Sequence, residues 1–176
     1  MLRNEKEFKL EILEKVAEEM CLAARTAPKA KGLDLLEIAV VKAKTLEKLS
    51  AEMLKIGREN DHPTFLRDGE NILSAQVVVL MGSKKQTIGL RCCGFCGFAN
   101  CSEAEKAGAL CAYNSGDLGI AIGSAASVAA DHRLDSRIMY TAGKAAINLN
   151  LLGKGVKVAY GIPLSATGKN PFFDRK

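Results

Sequence analysis

Cys93-Gly-Phe-Cys96-Gly-Phe-Ala-Asn-Cys101 puts three thiols within nine residues, and Cys111 follows. Two, four and nine residues separate successive cysteines, intervals that let all four side chains converge on one small inorganic centre. A thiolate-rich site suits an iron–sulfur cluster or zinc. Softness of the donor set and its spacing favour a 4Fe-4S cluster, with a structural zinc module as the alternative of a different class. The glycines after Cys93 and Cys96 let the backbone bend tightly and leave N–H groups free to point at inorganic sulfide. Phe95 and Phe98 are placed to shield the centre from water.

The ligand set Cys93, Cys96, Cys101 and Cys111 makes a geometric demand. Ser102-Glu-Ala-Glu105 reads as a capping box, so a helix should begin directly after Cys101, at whose positive end a thiolate is favoured. An uninterrupted helix to Leu110 would carry Cys111 roughly 12 Å away at about 1.5 Å per residue. Gly108 resolves this by ending the helix as a C′ glycine, so that Ala109 and Leu110 can return Cys111 to the centre. Cys92 competes for the fourth position. On an extended backbone adjacent side chains diverge, which favours Cys111 over Cys92 as the partner of Cys93. Cys21, on a helix far from the other thiols, reads as a small buried hydrophobe.

These thiols need a scaffold. Residues 4–26 predict an amphipathic helix, with Phe8, Ile12, Val16 and Met20 every fourth residue and Leu13, Ala17 and Ala24 beside them; Pro28 and Gly32 follow its end. Residues 35–41 predict a strand. Thr45 reads as the N-cap of a second helix, with Leu46, Leu49, Met53 and Ile56 at helical spacing up to Gly57. A short helix after Pro63 precedes Gln76-Val-Val-Val-Leu-Met81, an apolar run suited to a strand covered on both faces. Thr87–Arg91 would be a short strand delivering the thiol loop. A helix of small residues starts at Asp117, with Gly119, Gly123, Ala126 and Ala130 on one face; residues 136–151 read as helix, 156–160 as a last strand, and the tail from Gly161 as loop.

The 176 residues fit a single domain, 1–176, with the cysteine-rich segment at about 89–112. A hydrophobic share of 48% with 26% charged residues is ordinary for a globular chain. The net charge of +5 is dispersed and lacks aromatic interleaving, so nucleic acid is not expected as a partner. The uncharged stretch from Leu118 to Ala130 is too short and too rich in Gly, Ser and Ala to span a membrane. No secretory leader opens the chain, and clustered cysteines without an export signal favour metal over disulfides, hence a reducing cytoplasm.

Three further features have a chemical and a bland reading. Gly116, Gly119 and Gly123 admit a flat cofactor or serve tight helix packing, and packing is favoured. Ser165, Thr167, Gly168, Lys169 and Arg175 offer Lys169 and Arg175 as phosphate contacts, against a solvated loop. His132, flanked by charges in Asp131-His-Arg-Leu-Asp135, reads as a surface turn rather than an acid–base group.

The thiol segment, with Asp117-Leu-Gly-Ile-Ala-Ile-Gly-Ser124, Ala130-Asp-His-Arg133 and Tyr160-Gly-Ile-Pro-Leu-Ser-Ala-Thr-Gly-Lys-Asn-Pro-Phe-Phe-Asp-Arg175, resembles the uncharacterised ferredoxin-domain protein family. That resemblance implies a cluster and electron transfer with an unidentified redox partner. A second, partial one is to FMN-dependent nitroreductases, carried by Ala23-Ala-Arg-Thr-Ala-Pro28, the Val77–Leu80 strand, Gly116-Asp-Leu-Gly119 and Val158-Ala-Tyr-Gly-Ile-Pro163. It implies an α+β, nitroreductase-like fold, a small mixed or antiparallel sheet covered by helices, with the cysteine loop inserted. It also implies a homodimer and, as an alternative function, an FMN-dependent oxidoreductase in which the cluster relays electrons. Lys29 and Gly32 stand where that family carries a serine and an asparagine.

Overall fold

Val77–Lys84 (β2) is buried along all but its last residue, as a continuous apolar run requires. In the computed structural model, which describes residues 2–173, it pairs antiparallel with Leu36–Lys42 (β1) on one side and Val156–Ser165 (β4) on the other. The two-residue strand Asp135–Ser136 (β3) completes an antiparallel sheet of order β1-β2-β4-β3. Successive residues of β2 feed opposite cores. Val77, Val79 and Met81 meet helices Glu5–Thr26 (α1) and Ala112–Asp131 (α5). Val78 and Leu80 meet helices Ala43–Glu59 (α2), Pro63–Asn71 (α3) and Tyr140–Asn148 (α6). The architecture is therefore α+β, with the sheet antiparallel throughout.

Helix α1 buries Leu13, Val16, Ala17, Met20 and Ala24, while Ile12 is largely exposed. It lies against α5, where the Ser124 hydroxyl donates to the Ala23 carbonyl at 3.0 Å. Helix α2 starts earlier than its sequence suggests. Lys42 is its N-cap and Ala43 adopts φ 49°, so β1 turns straight into the helix and Thr45 lies inside the first turn.

Helix α5 begins at Ala112 rather than Asp117, and residues 136–151 divide into β3 and the shorter α6. Gly143 lets α6 lie directly on β4: a Cβ there would fall 1.8 Å from the Ala159 carbonyl oxygen. Strand β4 continues through Pro163 to Ser165, so the first five residues of the expected loop from Gly161 are strand. The chain beyond Ser165 is anchored too. Phe172 is fully buried in the α2–α3–α6 core, and Arg137 donates to its carbonyl at 2.7 Å. Arg137 stands 3.9 Å from buried Asp68, whose other oxygen accepts from Thr141 at 2.8 Å. Among the described residues no helix is long and apolar enough to cross a membrane.

Candidate metal centre

Beyond Lys84 the chain leaves the sheet and takes no regular structure until residue 101, so the strand expected over 87–91 does not form. At Gln86 the backbone is satisfied by a side chain instead of a neighbouring strand. Buried Asn114, in the first turn of α5, accepts from the Gln86 N–H at 3.3 Å and donates to the Gln86 carbonyl at 3.1 Å. Ile88 is buried just beyond this clamp, and Lys31 donates to its carbonyl at 3.4 Å. The segment then reverses repeatedly through positive φ at Gly89, Cys92, Gly94 and Gly97. The Gly97 N–H closes one turn on the Gly94 carbonyl at 2.9 Å.

Cys101 opens the short helix Cys101–Lys106 (α4), but the cap is not the one expected. Asn100 is the N-cap: its Oδ1 accepts from the Glu103 N–H at 3.0 Å, and its Nδ2 donates to the Glu103 carboxylate at 3.2 Å. Asn100–Glu103 and Ser102–Glu105 are competing boxes two residues apart, and the earlier one places Cys101 inside the helix as its first residue. Gly108 ends α4 as the geometry demanded. At φ 71° its N–H bonds the Glu105 carbonyl at 3.0 Å, and the Ala109 N–H bonds the Ala104 carbonyl at 2.9 Å. This pair of bonds is a Schellman termination. Two residues later Cys111, extended and 8% exposed, is the N-cap of α5.

Cys93, Cys96, Cys101 and Cys111 all line one cavity of about 350 Å³, closed partly by Phe98 and Tyr113. Cys92 lines it as well. Divergence along an extended strand does not apply to it, because its φ is 54°. Cys92 is exposed where Cys111 is buried. Among the described residues no three His, Cys, Asp or Glu side chains gather closely enough for one metal ion. Cys21 is remote, packed among α1 and its neighbours; burial, then the Glu18 carboxylate, push its thiol up from the ordinary value.

Phe98 lines the cavity as expected, whereas Phe95 is 75% exposed and stacks on Tyr113 with ring centroids 6.2 Å apart. Gly116, Gly119 and Gly123 do not serve packing within the chain: each is exposed, and a Cβ added there would meet nothing. His132 pairs with Glu19 at 3.0 Å on the surface, as its charged setting suggested. Lys169 is exposed in a turn closed by the Thr167 hydroxyl donating to the Lys169 carbonyl at 2.7 Å. It does not line the cysteine cavity, and Arg175 lies outside the described residues. Sequence reasoning missed Asn114 and Tyr113, for which the only signal was their position just after Cys111.

A family model described as an uncharacterised protein containing a ferredoxin domain matches residues 107–175, a span that includes Cys111 but not the three earlier thiols. An uncharacterised protein of Archaeoglobus fulgidus is 44% identical over 184 aligned positions, covering 99% of this chain and 98% of that one. Among solved structures, a nitroreductase with bound FMN from Desulfitobacterium hafniense is similar with a TM-score of 0.61 and 17% identity, over 96% of this chain and 81% of that one. A nitroreductase of Lactococcus lactis in complex with nicotinic acid gives 0.58 and 17%, over 98% and 86%. The fold is thus nitroreductase-like.

Proposed function

For a chain that belongs to the uncharacterised ferredoxin-domain protein family, we propose one-electron transfer through a single 4Fe-4S cluster held by Cys93, Cys96, Cys101 and Cys111. The observation that carries this reading is the lining of one cavity by those four thiols, delivered by a turn-rich loop and two helix starts. When bound, the cluster would supply reversible uptake of one electron at a potential tuned by its surroundings. The protein's part is positional. Cys111 holds its sulfur at the positive end of the 20-residue helix α5, where negative charge is favoured. Asn114 fixes the start of the loop that carries Cys93 and Cys96. Phe98 and Tyr113 put aromatic rings on the cavity wall, where they would limit the access of water.

We include in this proposal a single domain over 1–176, its cysteine segment at about 89–112, working in a reducing cytoplasm. An FMN-dependent activity rests on the likeness of fold alone, and function belongs to a site rather than a fold. One observation weighs against it. Lys29, which stands where the nitroreductase resemblance implies a serine, spends its ammonium on the last carbonyls of α1, at 2.9 Å from that of Ala24.

Anaerobic purification followed by iron, sulfide and flavin analysis tests the reading. A brown protein with equal iron and sulfide supports it; a colourless one containing zinc, or one releasing a yellow chromophore, favours an alternative. Serine at Cys93, Cys96, Cys101 or Cys111 should remove most of the cluster absorbance, because metal binding and loop order are coupled. Cys92→Ser and Cys21→Ser should leave it intact. Bleaching by Cys92→Ser without bleaching by Cys111→Ser would show that the fourth ligand is misassigned.

A further inference from the structure

We infer that the surface beside the cysteine cavity is a docking face for an acidic protein electron carrier, anchored by exposed Phe95 and carrying Lys31, Lys85 and Arg91. This rests on the cluster reading and names the kind of partner that the same site serves.

Phe95 lies between Cys93 and Cys96, yet 75% of it faces water, and its only ring partner among the described residues is Tyr113, two residues past Cys111. Leu110, next to Cys111, is also exposed. Leaving a phenyl ring in water forgoes the free energy of burying it. Exposed aromatics of this kind anchor protein interfaces, where they dominate binding. The ring stacks on Tyr113, which itself lines the thiol cavity.

Charge around that anchor selects the partner. Residues 85–100 carry Lys85 and Arg91 and no acidic residue. Lys31 enters from the α1–β1 connection through its bond to the Ile88 carbonyl. The Lys85 ammonium reaches the turn before Cys111, 3.7 Å from where a Cβ on Gly108 would stand. Among the described residues neither Lys85 nor Arg91 pairs with a carboxylate. The nearest acids in sequence, Glu103 and Glu105, sit on α4, and Glu103 is occupied by Asn100. Uncompensated cations around an apolar anchor steer acidic partners and repel basic ones.

Calorimetric titration of the anaerobically purified, cluster-bearing protein with an acidic bacterial ferredoxin tests this, with basic cytochrome c as control. Binding should be measurable at low salt and should vanish near 1 M salt, where the screening length is about 3 Å. Arg91→Glu and Lys85→Glu should each weaken it about 3- to 10-fold, and Phe95→Ser about tenfold or more, as expected for rim charges and a central anchor. Lys48→Glu, on the opposite face of the sheet, should change nothing. Iron and sulfide are assayed in every sample. A colourless, sulfide-free protein removes the cluster reading and this inference together. A brown protein whose ferredoxin affinity ignores all three variants, or which binds cytochrome c as tightly, overturns this inference alone. So does a dimer that Phe95→Ser dissociates, since the face would then belong to a second copy of the chain.

Discussion

Gly108 is where the ligand geometry is most exposed to a single atom. Its left-handed backbone ends α4 and starts the return to Cys111. Nothing steric stands in the way of a side chain: an added Cβ would meet only the Lys85 ammonium, at an ordinary 3.7 Å. The penalty for alanine is therefore conformational. Holding a non-glycine residue in this region costs about 1–2 kcal/mol, and the stiffer unfolded chain returns roughly 0.4–1 kcal/mol. The net is about 1 kcal/mol, or roughly a fivefold effect on an equilibrium, given tenfold per 1.4 kcal/mol. Asparagine tolerates this conformation and should cost less; valine, β-branched, should cost more. Proline must adopt φ near −65° and loses the N–H that bonds Glu105, so Gly108→Pro should abolish the return altogether. The assay is the rate of cluster release to a chelator under anaerobic conditions. Release should quicken in the order Asn, Ala, Val, Pro. If Ala and Val match the wild type, or Asn is as damaging as Val, Gly108 does not hold Cys111 in place by its backbone conformation.

Gly143→Ala should destabilise the fold by at least the 1–3 kcal/mol typical of overpacking, because its Cβ would overlap backbone atoms of Ala159 and Tyr160, at 1.8 and 2.5 Å; a urea midpoint close to wild type would contradict the α6–β4 packing. Burial raises the Asp34 carboxyl, but Arg25 at 2.7 Å, the Leu36 N–H and Lys29 outweigh it and hold it below the ordinary 3.8. Its contribution to stability should thus be complete above that value and fade as pH falls through the depressed one. The gap in thermal midpoint between wild type and Asp34→Asn should stay constant near neutrality and close in acid; a gap that widens in acid would reverse the sign. The exposed face of Gly116, Gly119 and Gly123 is expected to be covered by a second copy of the chain; a sedimentation profile containing monomer alone at micromolar concentration would reject this. In the tail, replacing Lys169 and Arg175 together by alanine should abolish whatever flavin retention the wild type displays, and unchanged retention would place any phosphate elsewhere.

Much of the scaffold is readable where one periodicity dominates. Residues 4–26 carry an unbroken helical stripe, and the Val77–Met81 run has no polar interruption, so both form as expected. Gly108 is readable because a four-thiol centre leaves the chain few ways to return. The misreadings have a common cause, which is tertiary contact overriding local signals. Ala112–Gly116 looks like a helix breaker, yet Asn114 is committed to the Gln86 backbone and holds α5 in place from its first turn. Polar composition disguises the tail, though Phe172 is a core residue. Divergence of Cys92 from Cys93 requires an extended backbone, and no local signal announces the positive φ of Cys92; what still separates it from Cys111 is that Cys92 is exposed and Cys111 buried. Two overlapping capping boxes around Cys101 are separated only by the turns that precede them.

The two halves of the thiol set differ in what they are tied to. Cys111 belongs to α5, whose Leu118, Ala121, Ala125 and Ala129 form part of the core on one face of the sheet. Cys93 and Cys96 ride on a loop fastened at Gln86 and turned by glycines. The consequence concerns maturation. On the proposed ligand set, the domain would fold first around α5 and receive its iron afterwards through the loop, and loss of the metal would free that loop while leaving the core of the fold intact.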